Sequence, residues 1–340
     1  METLRLGRTN IVASRSGFGA LPIQRIGFDD AVPLLQKAYD NGINFFDTAR
    51  AYTDSEEKVG KAFSGVRNHI FIATKSMAKD KKSLLHDLET SLKALKTDVI
   101  DIYQLHNPSA VPDYDDPDGL YQGLLEAKAK GYIRFLGITN HRLDVALKAA
   151  RDKRFDTIQF PLSSLSSDKD LELIRLCKEN DIGLIAMKAM SGGLITNAAS
   201  TFAFLRQFDN VLPIWGIQRE SELDEFLAYE KNPPVLDEAM QKIIDHDRRE
   251  LAGAFCRGCG YCQPCPANIP IETAARISLL LTRSPYQTFL TDEFKAKMER
   301  INDCTHCNHC KNHCPYGLDT PNLLQFMLGE YNKFYAAHTV

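Results

Sequence analysis

Eight of the nine cysteines lie within 59 residues, between Cys256 and Cys314, and this clustering limits the fold of the chain's end more than any other feature. The ninth, Cys177, is the only cysteine before residue 250. The change in cysteine content marks a boundary near residue 248. We therefore expect a first domain over residues 1–248 and a cysteine-rich domain over residues 249–340.

The 340-residue chain starts with a polar, charged segment, so we expect no secretory signal, and it contains no run of about 18 apolar residues. We expect a cytoplasmic protein that does not span a membrane. The net charge of −3 indicates no general attraction to nucleic acid. Cysteines stay reduced in the cytoplasm, where they bind metals more often than they form disulfides.

The cysteines form two runs of four, and each run ends in Cys-Pro. The runs are Cys256, Cys259, Cys262, Cys265 and then Cys304, Cys307, Cys310, Cys314. The second run has the spacing C-x2-C-x2-C-x3-C-P, which is typical of loops that hold 4Fe–4S clusters. Three thiolates at two-residue intervals can cap three corners of one cubane, while the cysteine before proline turns toward the other cluster. In the first run the last gap is two residues instead of three.

We predict two 4Fe–4S clusters with crossed ligands. Cys256, Cys259, Cys262 and Cys314 would bind one cluster, and Cys304, Cys307, Cys310 and Cys265 the other. The alternative is structural zinc, since paired C-x2-C units also form four-thiolate zinc sites. Zinc usually uses two such pairs rather than two runs of four. His306, His309 and His313 are interpreted as solvated loop residues, with electronic tuning of a cluster as the alternative.

The rest of the cysteine-rich domain has helical patterns over residues 271–283, 286–300 and 319–337. With its two cysteine runs, the domain resembles the helical two-cluster ferredoxins. The resemblance implies a small, mainly α-helical ferredoxin-like domain.

The first 248 residues alternate short apolar segments with amphipathic helical patterns. The predicted strands are Ser16–Gly19, Asn44–Phe46, Ile70–Ala73, Val99–Leu105, Ile133–Ile138, Thr157–Phe160, Gly183–Met187 and Leu212–Trp215. Eight such strand-helix units predict an α/β fold, a (β/α)8 TIM barrel. A doubly wound sheet is the alternative, but no G-x-G-x-x-G motif follows any of these strands.

Four reactive side chains follow consecutive predicted strands, namely Asp47, Tyr52, Lys75 and His106. The carboxyl ends of barrel strands carry the active sites of TIM-barrel enzymes. An ammonium group lowers the pKa of a nearby phenol from its usual value of about 10, and a carboxylate beside the ammonium keeps it charged. An imidazole can orient a carbonyl oxygen. Each residue alone would be explained by packing or solvation, but the four together predict proton transfer.

Several stretches of this domain resemble the aldo-keto reductases. They are Leu6-Gly7-Arg8-Thr9, Gly17-Phe18-Gly19, Phe46-Asp47-Thr48-Ala49 with Tyr52, Ser55-Glu56-Glu57 with Gly60, Thr74-Lys75, Leu105-His106, Gly137-Ile138-Thr139-Asn140 and Gln159. Their order and spacing agree with that family. A barrel followed by a cluster domain is similar to the ferredoxin-fused branch of the family.

The resemblance implies a role for each member of the tetrad. Tyr52 would be the general acid in the reduction of a small carbonyl substrate. Lys75 would lower the pKa of Tyr52 while paired with Asp47, and His106 would orient the substrate carbonyl. Hydride would pass between NADP(H) and the carbonyl carbon.

The resemblance also implies a nicotinamide site. Thr139, Asn140 and Gln159 would hold the carboxamide, and Gly19 would let the cofactor approach the first strand. Met187 stands where the family often stacks a tyrosine, and Lys188 would meet phosphate or substrate. After the last strand, the cofactor-side positions are Gly216, Arg219 and Glu225. Arg219 is the candidate for a 2′-phosphate, so NADP is expected over NAD, which stays the alternative.

Nicotinamides transfer two electrons as hydride, whereas a cubane transfers one. Three functions are therefore compatible with this sequence. The first is an NADP(H)-dependent reductase whose clusters are structural or redox-sensing. The second is an electron-transfer enzyme that uses a flavin not recognisable in the sequence, or a radical step, with an electron-carrier protein as partner. The third is a non-enzymatic redox-sensing or binding protein, which the complete tetrad argues against.

Overall fold

The computed structural model describes residues 1–251, 255–283 and 286–338, and the chain forms two compact units. The first unit comprises Met1–Ala189 and Ala199–Gln241, and the second comprises Met190–Ala198 and Lys242–Val340. In the described part, no helix is both long and apolar enough to cross a membrane. The domain limit near residue 248 falls inside the helix Glu238–Glu250 and stays a prediction.

The first unit is a closed barrel of eight parallel strands in chain order, with the last strand paired to the first. A short antiparallel hairpin, β1 (Thr3–Arg5) and β2 (Val12–Ser14), precedes the barrel. The barrel strands are β3 (Gly17–Gly19), β4 (Phe45–Asp47), β5 (Phe71–Ser76), β6 (Ile100–His106), β7 (Ile133–Thr139), β8 (Thr157–Pro161), β9 (Gly183–Met187) and β10 (Val211–Gly216). All eight predicted strands are found, which confirms the (β/α)8 barrel.

Helices follow the barrel strands, as the alternating pattern predicts. They are α1 (Phe28–Asp40), α2 (Ser55–Phe63), α3 (Lys81–Ala94), α4 (Leu120–Ala129), α5 (Leu143–Asp152), α6 (Asp168–Glu179), α7 (Ala198–Arg206) and α8 (Glu220–Lys231), and α9 (Glu238–Glu250) then leads out of the barrel. Strands covered by helices on one face and filled on the other must be apolar on both faces. Strand β9 illustrates this rule, because its five residues, Gly-Leu-Ile-Ala-Met, are all apolar and all buried.

Several strands extend beyond their predicted ends, and these extensions bear on the site. Strand β6 runs to His106 and β7 to Thr139, and the two residues are paired across the strands. The register also sets Lys75 beside Gln104, and Thr139 beside Gln159. Backbone pairing therefore sets residues of β5, β6, β7 and β8 side by side near the carboxyl ends of these strands.

The second unit is mainly helical, as predicted. Its further helices are α10 (Ile271–Ala274), α11 (Ile277–Arg283), α12 (Asp292–Glu299), α13 (His309–Asn312) and α14 (Thr320–His338). The helix predicted over residues 271–283 is interrupted at Ala275 and Arg276. The segment predicted over residues 286–300 begins with a 3-10 turn, Tyr286–Phe289. Apolar side chains such as Ile277, Met298 and Tyr331 are fully buried in this unit's core.

Candidate functional site

A buried ion pair lies at the carboxyl ends of β4 and β5. The Lys75 Nζ atom is 2.6 Å from Asp47 Oδ1 and donates a second hydrogen bond, of 2.7 Å, to the Thr48 carbonyl. Lys75 is 0% exposed and Asp47 is 2% exposed. Two charges without water must be stabilised by each other and by further hydrogen bonds.

Two glutamine side chains supply further contacts to the Asp47 carboxylate. Gln104 and Gln159 each direct Nε2 toward a carboxylate oxygen at 3.4 Å, and Gln104 donates to Gln159 Oε1 at 2.8 Å. Gly137 makes room for this arrangement, because a Cβ atom there would lie 2.7 Å from Gln104 Cγ. Gln104 was not predicted as a site residue. Only the barrel register shows that its side chain reaches the ion pair.

Tyr52 and His106 lie next to this pair. Tyr52 sits in the turn between β4 and α2, and its ring centroid is 5.3 Å from Lys75 Nζ. The His106 ring meets the Tyr52 ring edge to face, with centroids 5.9 Å apart. The structure therefore brings together all four members of the predicted tetrad.

Burial controls the protonation of these groups. It raises the pKa of Asp47 and lowers that of Lys75, while the attraction between the two charges opposes both shifts. Burial, and after it the Lys75 charge, lower the pKa of His106 to about 3. Burial, and after it the Asp47 charge, raise the pKa of Tyr52 above its ordinary value. In the chain alone, desolvation of the phenolate dominates the pKa of Tyr52, and the lowering of that pKa by Lys75 stays a prediction.

A second buried carboxylate, Glu56, was also missed by the sequence analysis. Glu56 is 1% exposed, accepts a hydrogen bond of 2.6 Å from the Thr74 hydroxyl, and accepts one of 2.5 Å from Arg50 Nη1. Its charge acts to raise the pKa of Lys75. Glu57, its neighbour in the same motif, is exposed, so the motif alone does not reveal which glutamate faces the site.

The residues predicted to hold the carboxamide lie at or near the carboxyl ends of β7 and β8. The Thr139 hydroxyl donates to the Gln159 carbonyl at 3.3 Å and lies 3.7 Å from the Met187 sulfur. The Asn140 side chain bridges backbone, donating to the Pro108 carbonyl and accepting from the Arg142 amide, both at 2.8 Å. Lys188 has a left-handed backbone, with φ of 58°.

The other predicted cofactor-side residues lie near β3 and α8. A Cβ atom on Gly19 would lie 3.1 Å from the Trp215 carbonyl oxygen, so close strand packing by itself favours a glycine there. Gly216 ends β10. Arg219 and Glu225 already have partners on the surface of α8. The Arg219 guanidinium donates to Glu222 Oε1 at 2.6 Å, and Glu225 accepts from the Tyr229 hydroxyl at 2.6 Å.

The second unit contains two cavities lined by cysteines. Cys256, Cys259, Cys262 and Cys314 line the first. Cys304, Cys307, Cys310 and Cys265 line the second, together with Cys262. Each cavity thus combines three cysteines of one run with the last cysteine of the other. The shorter gap before Cys265 does not take that residue away from the second cavity.

The two cysteine loops share a backbone conformation. The residues two and four positions after the first cysteine have positive φ in both loops. They are Gly258 and Gly260 in the first loop, and His306 and Asn308 in the second. These left-handed residues reverse the chain within each run, so that three thiolates face one cavity. The fit of two cubanes rests on these paired loops and cavities.

A zinc site would require four ligands to converge on one point at about 2.3 Å. Among the described residues, no three His, Cys, Asp or Glu side chains are grouped closely enough to hold one metal ion. The thiols surround spaces instead. His306 and His313 are exposed, while His309 lines the second cavity and stacks on His313 with ring centroids 4.0 Å apart.

Fold and site together define an α/β-barrel protein with a buried lysine–carboxylate pair at its strand ends, joined to a unit with two cysteine-lined cavities. The sequence profile of the aldo/keto reductase family matches residues 16–203, and the chain belongs to that family. Residues 255–319 match the 4Fe-4S dicluster domain. Both resemblances stated from the sequence are confirmed.

Individual proteins of this family match part of the chain. Aldo-keto reductase YhdN of Bacillus subtilis is 30% identical over 215 residues, which is 58% of this chain and 64% of the relative. L-galactose dehydrogenase of Arabidopsis thaliana is 29% identical over 219 residues, covering 58% of this chain and 67% of the relative. The chain thus spans about two thirds of these relatives. A Klebsiella pneumoniae aldo-keto reductase in complex with NADPH has a TM-score of 0.62 at 20% identity, covering 72% of this chain and 94% of that chain, which shows a shared fold.

Replacing Asp47 with asparagine would leave the Lys75 ammonium buried without its counter-charge. We expect the free energy of unfolding to fall by about 3–5 kcal/mol, the usual cost of removing one partner of a buried pair. Urea unfolding of the full chain can be followed through Trp215, the single tryptophan, which is buried in the barrel.

The control is Asp209→Asn. This change breaks a surface ion pair in which the Lys178 side chain is 59% exposed and the Asp209 side chain is 68% exposed. This variant should change the free energy of unfolding by less than about 1 kcal/mol. Equal losses in both variants would show that burial of the Lys75–Asp47 pair has no special cost.

Proposed function

We propose that the barrel is an NADP(H)-dependent oxidoreductase that interconverts a small carbonyl compound and its alcohol. The observation that carries this proposal is the grouping of Tyr52 and His106 around the buried Lys75–Asp47 pair. The group lies at the carboxyl ends of barrel strands, where enzymes of this fold carry their active sites.

In the direction of reduction, Tyr52 donates a proton to the carbonyl oxygen. Its raised pKa keeps the phenol protonated at neutral pH, so the acid is ready when substrate binds. The reduced nicotinamide, when bound, supplies a hydride to the carbonyl carbon. The phenolate left on Tyr52 is stabilised by the Lys75 ammonium and is reprotonated from solvent. Asp47 keeps that ammonium charged and oriented.

His106 acts in this proposal as a neutral hydrogen-bonding group. With a pKa of about 3, its imidazole carries no charge at neutral pH. A neutral imidazole can orient the carbonyl oxygen without competing with Tyr52 as the proton donor. The edge-to-face contact of the two rings keeps the Tyr52 and His106 side chains next to each other.

Gln159, Thr139 and Asn140 would hold the nicotinamide carboxamide. The hydrogen bond from Gln104 orients the Gln159 amide, so Gln104 is a positioning residue for the cofactor. For NADP to be preferred, the Arg219 guanidinium would have to release the Glu222 carboxylate and bind the 2′-phosphate of the cofactor. The NADPH in the Klebsiella pneumoniae neighbour supports NADP as the first cofactor to test.

Replacing Tyr52 with phenylalanine removes the acid and leaves the ring. We expect NADPH-dependent reduction of a responsive carbonyl, found by screening a panel anaerobically, to slow by about 10²- to 10⁴-fold. NADPH binding, measured by fluorescence titration, should be retained.

The control is Tyr132→Phe, since Tyr132 is 41% exposed and immediately precedes β7, at the opposite end of that strand from Thr139. It should keep the wild-type rate. A Tyr52→Phe variant as fast as the wild type would disprove the assignment of the acid.

The pKa shifts also predict a pH profile. Neutral His106 and protonated Tyr52 should both persist between about pH 6 and 9, so kcat/KM for carbonyl reduction should have no inflection from either group in that range. An inflection near the ordinary histidine pKa of about 6.5 that disappears in His106→Gln would contradict the neutral role of His106. An alkaline inflection below pH 9 that disappears in Tyr52→Phe would instead restore the lowered phenol pKa.

We further propose that the cysteine-lined cavities hold two 4Fe–4S clusters with crossed ligands. The anaerobically purified chain should contain about eight iron atoms and eight sulfides. Two double variants test the crossing. Cys256→Ala with Cys314→Ala removes two ligands of one cluster and should leave about four iron atoms. Cys310→Ala with Cys314→Ala damages both clusters and should leave few.

If each run bound its own cluster, these two results would be exchanged. Bound zinc with no iron in the wild-type protein would instead disprove cluster binding altogether. The metal analysis needs no enzymatic assay, so it is independent of the proposed reductase activity.

A further inference from the structure

An arginine side chain lies against the first cysteine loop. Arg276 occupies the break between α10 and α11, and a Cβ atom on Gly258 would lie 2.9–3.0 Å from its guanidinium carbon and both terminal nitrogens. Because the three distances are nearly equal, the guanidinium presents its face to Gly258. Gly258 stands between Cys256 and Cys259, and its amide donates to the Cys256 sulfur at 3.4 Å.

A hydrogen bond to a second glycine also holds this guanidinium. Arg276 Nη1 donates to the Gly192 carbonyl at 2.7 Å. Gly192 has φ of 70°, and a Cβ atom there would lie 2.8 Å from Nη1. Gly192 belongs to Met190–Ala198, the segment of the second unit that follows Lys188 in the chain. A side chain at either glycine would have to displace the guanidinium, so both glycines favour the observed position of the positive charge.

The surroundings of the two cavities differ in charge. Arg257 lies in the first loop, with its guanidinium carbon 4.6 Å from the ring centroid of Tyr316. Glu272 provides an opposing charge near Cys262 and accepts a hydrogen bond of 2.8 Å from Gln263. Among described residues, the lining of the second cavity contains no lysine, arginine, aspartate or glutamate.

We propose that Arg276 raises the reduction potential of the cluster bound by Cys256, Cys259, Cys262 and Cys314. This inference rests on the proposed cluster ligands. Adding one electron to a cluster that already carries four thiolates adds negative charge, and a fixed cation nearby stabilises the reduced form. Charge and hydrogen bonds around a metal group are general means of tuning its potential.

Lys311, which is next to Cys310 in the second run, is paired with Asp319 at 3.4 Å. Two arginines therefore lie beside the first cavity, Arg257 in its lining and Arg276 against Gly258, whereas the lining of the second cavity contains none.

The test is a redox titration of the complete, cluster-loaded chain with dithionite, followed by electron paramagnetic resonance. The wild type should give two one-electron steps, and the variant with Cys256→Ala and Cys314→Ala identifies the step of the first cluster by its loss. Arg276→Gln should move that step to more negative potential and leave the other step unchanged. Arg276→Lys keeps a positive charge and should move it less.

Arg283→Gln is the matched control. Arg283 also holds the segment 190–198, donating to the Leu194 carbonyl at 2.7 Å, but its charge is paired with Asp247 and Glu250. This variant should leave both potentials unchanged. Equal shifts in Arg283→Gln and Arg276→Gln would overturn the proposal, since the cause would then be the segment's conformation. Unchanged potentials in Arg276→Gln would overturn it as well.

If Arg276→Gln loses iron, a second pair of variants tests whether Arg276 raises the potential of the first cluster. Gly192→Ala places a methyl group 2.8 Å from Nη1 and 3.0 Å from the Arg257 carbonyl oxygen. Gly193→Ala has similar backbone strain, with φ of 89°, and nothing within 4 Å. Gly192→Ala should shift the first cluster's step to more negative potential, and Gly193→Ala should not. Identical behaviour of the pair would overturn the proposal. Iron and sulfide content is measured first, which separates failure of the cluster assignment from failure of this inference.

Discussion

The candidate active site depends on one interaction, the ion pair between Lys75 and Asp47 inside the barrel. Burying two charges is costly, and this cost is offset by their attraction and by the hydrogen bonds around them. The Thr48 carbonyl and two glutamine side chains supply those bonds. The pair in turn positions a cation 5.3 Å from the Tyr52 ring, which a solvated lysine would not maintain.

In the second unit, backbone conformation rather than side-chain hydrogen bonds positions the reactive groups. Each cysteine loop uses two left-handed residues to face three thiols toward one cavity. The fourth thiol comes from the other run, so neither cavity is complete without both loops. This interdependence links the two runs, although more than 35 residues separate them in the chain.

Much of the candidate site could be predicted because its residues follow the strand pattern. A barrel collects the carboxyl ends of its strands at one end, so Asp47, Lys75 and His106 had to be close once eight strands were recognised. Gln104 and Glu56 could not be found in this way. A glutamine inside a strand and one of two adjacent glutamates have the same appearance in a sequence whether they face the site, the core or water.

The sequence by itself determined the barrel, the helical cysteine domain and the family. Apolar segments that alternate with helical patterns, and the spacing of cysteines, are local patterns that can be recognised in a sequence alone. Only the tertiary structure decided protonation and charge. Burial raised the pKa of Tyr52, and the fold brought Arg276 against Gly258. Desolvation and contact depend on which distant segments come together, and no local pattern encodes that.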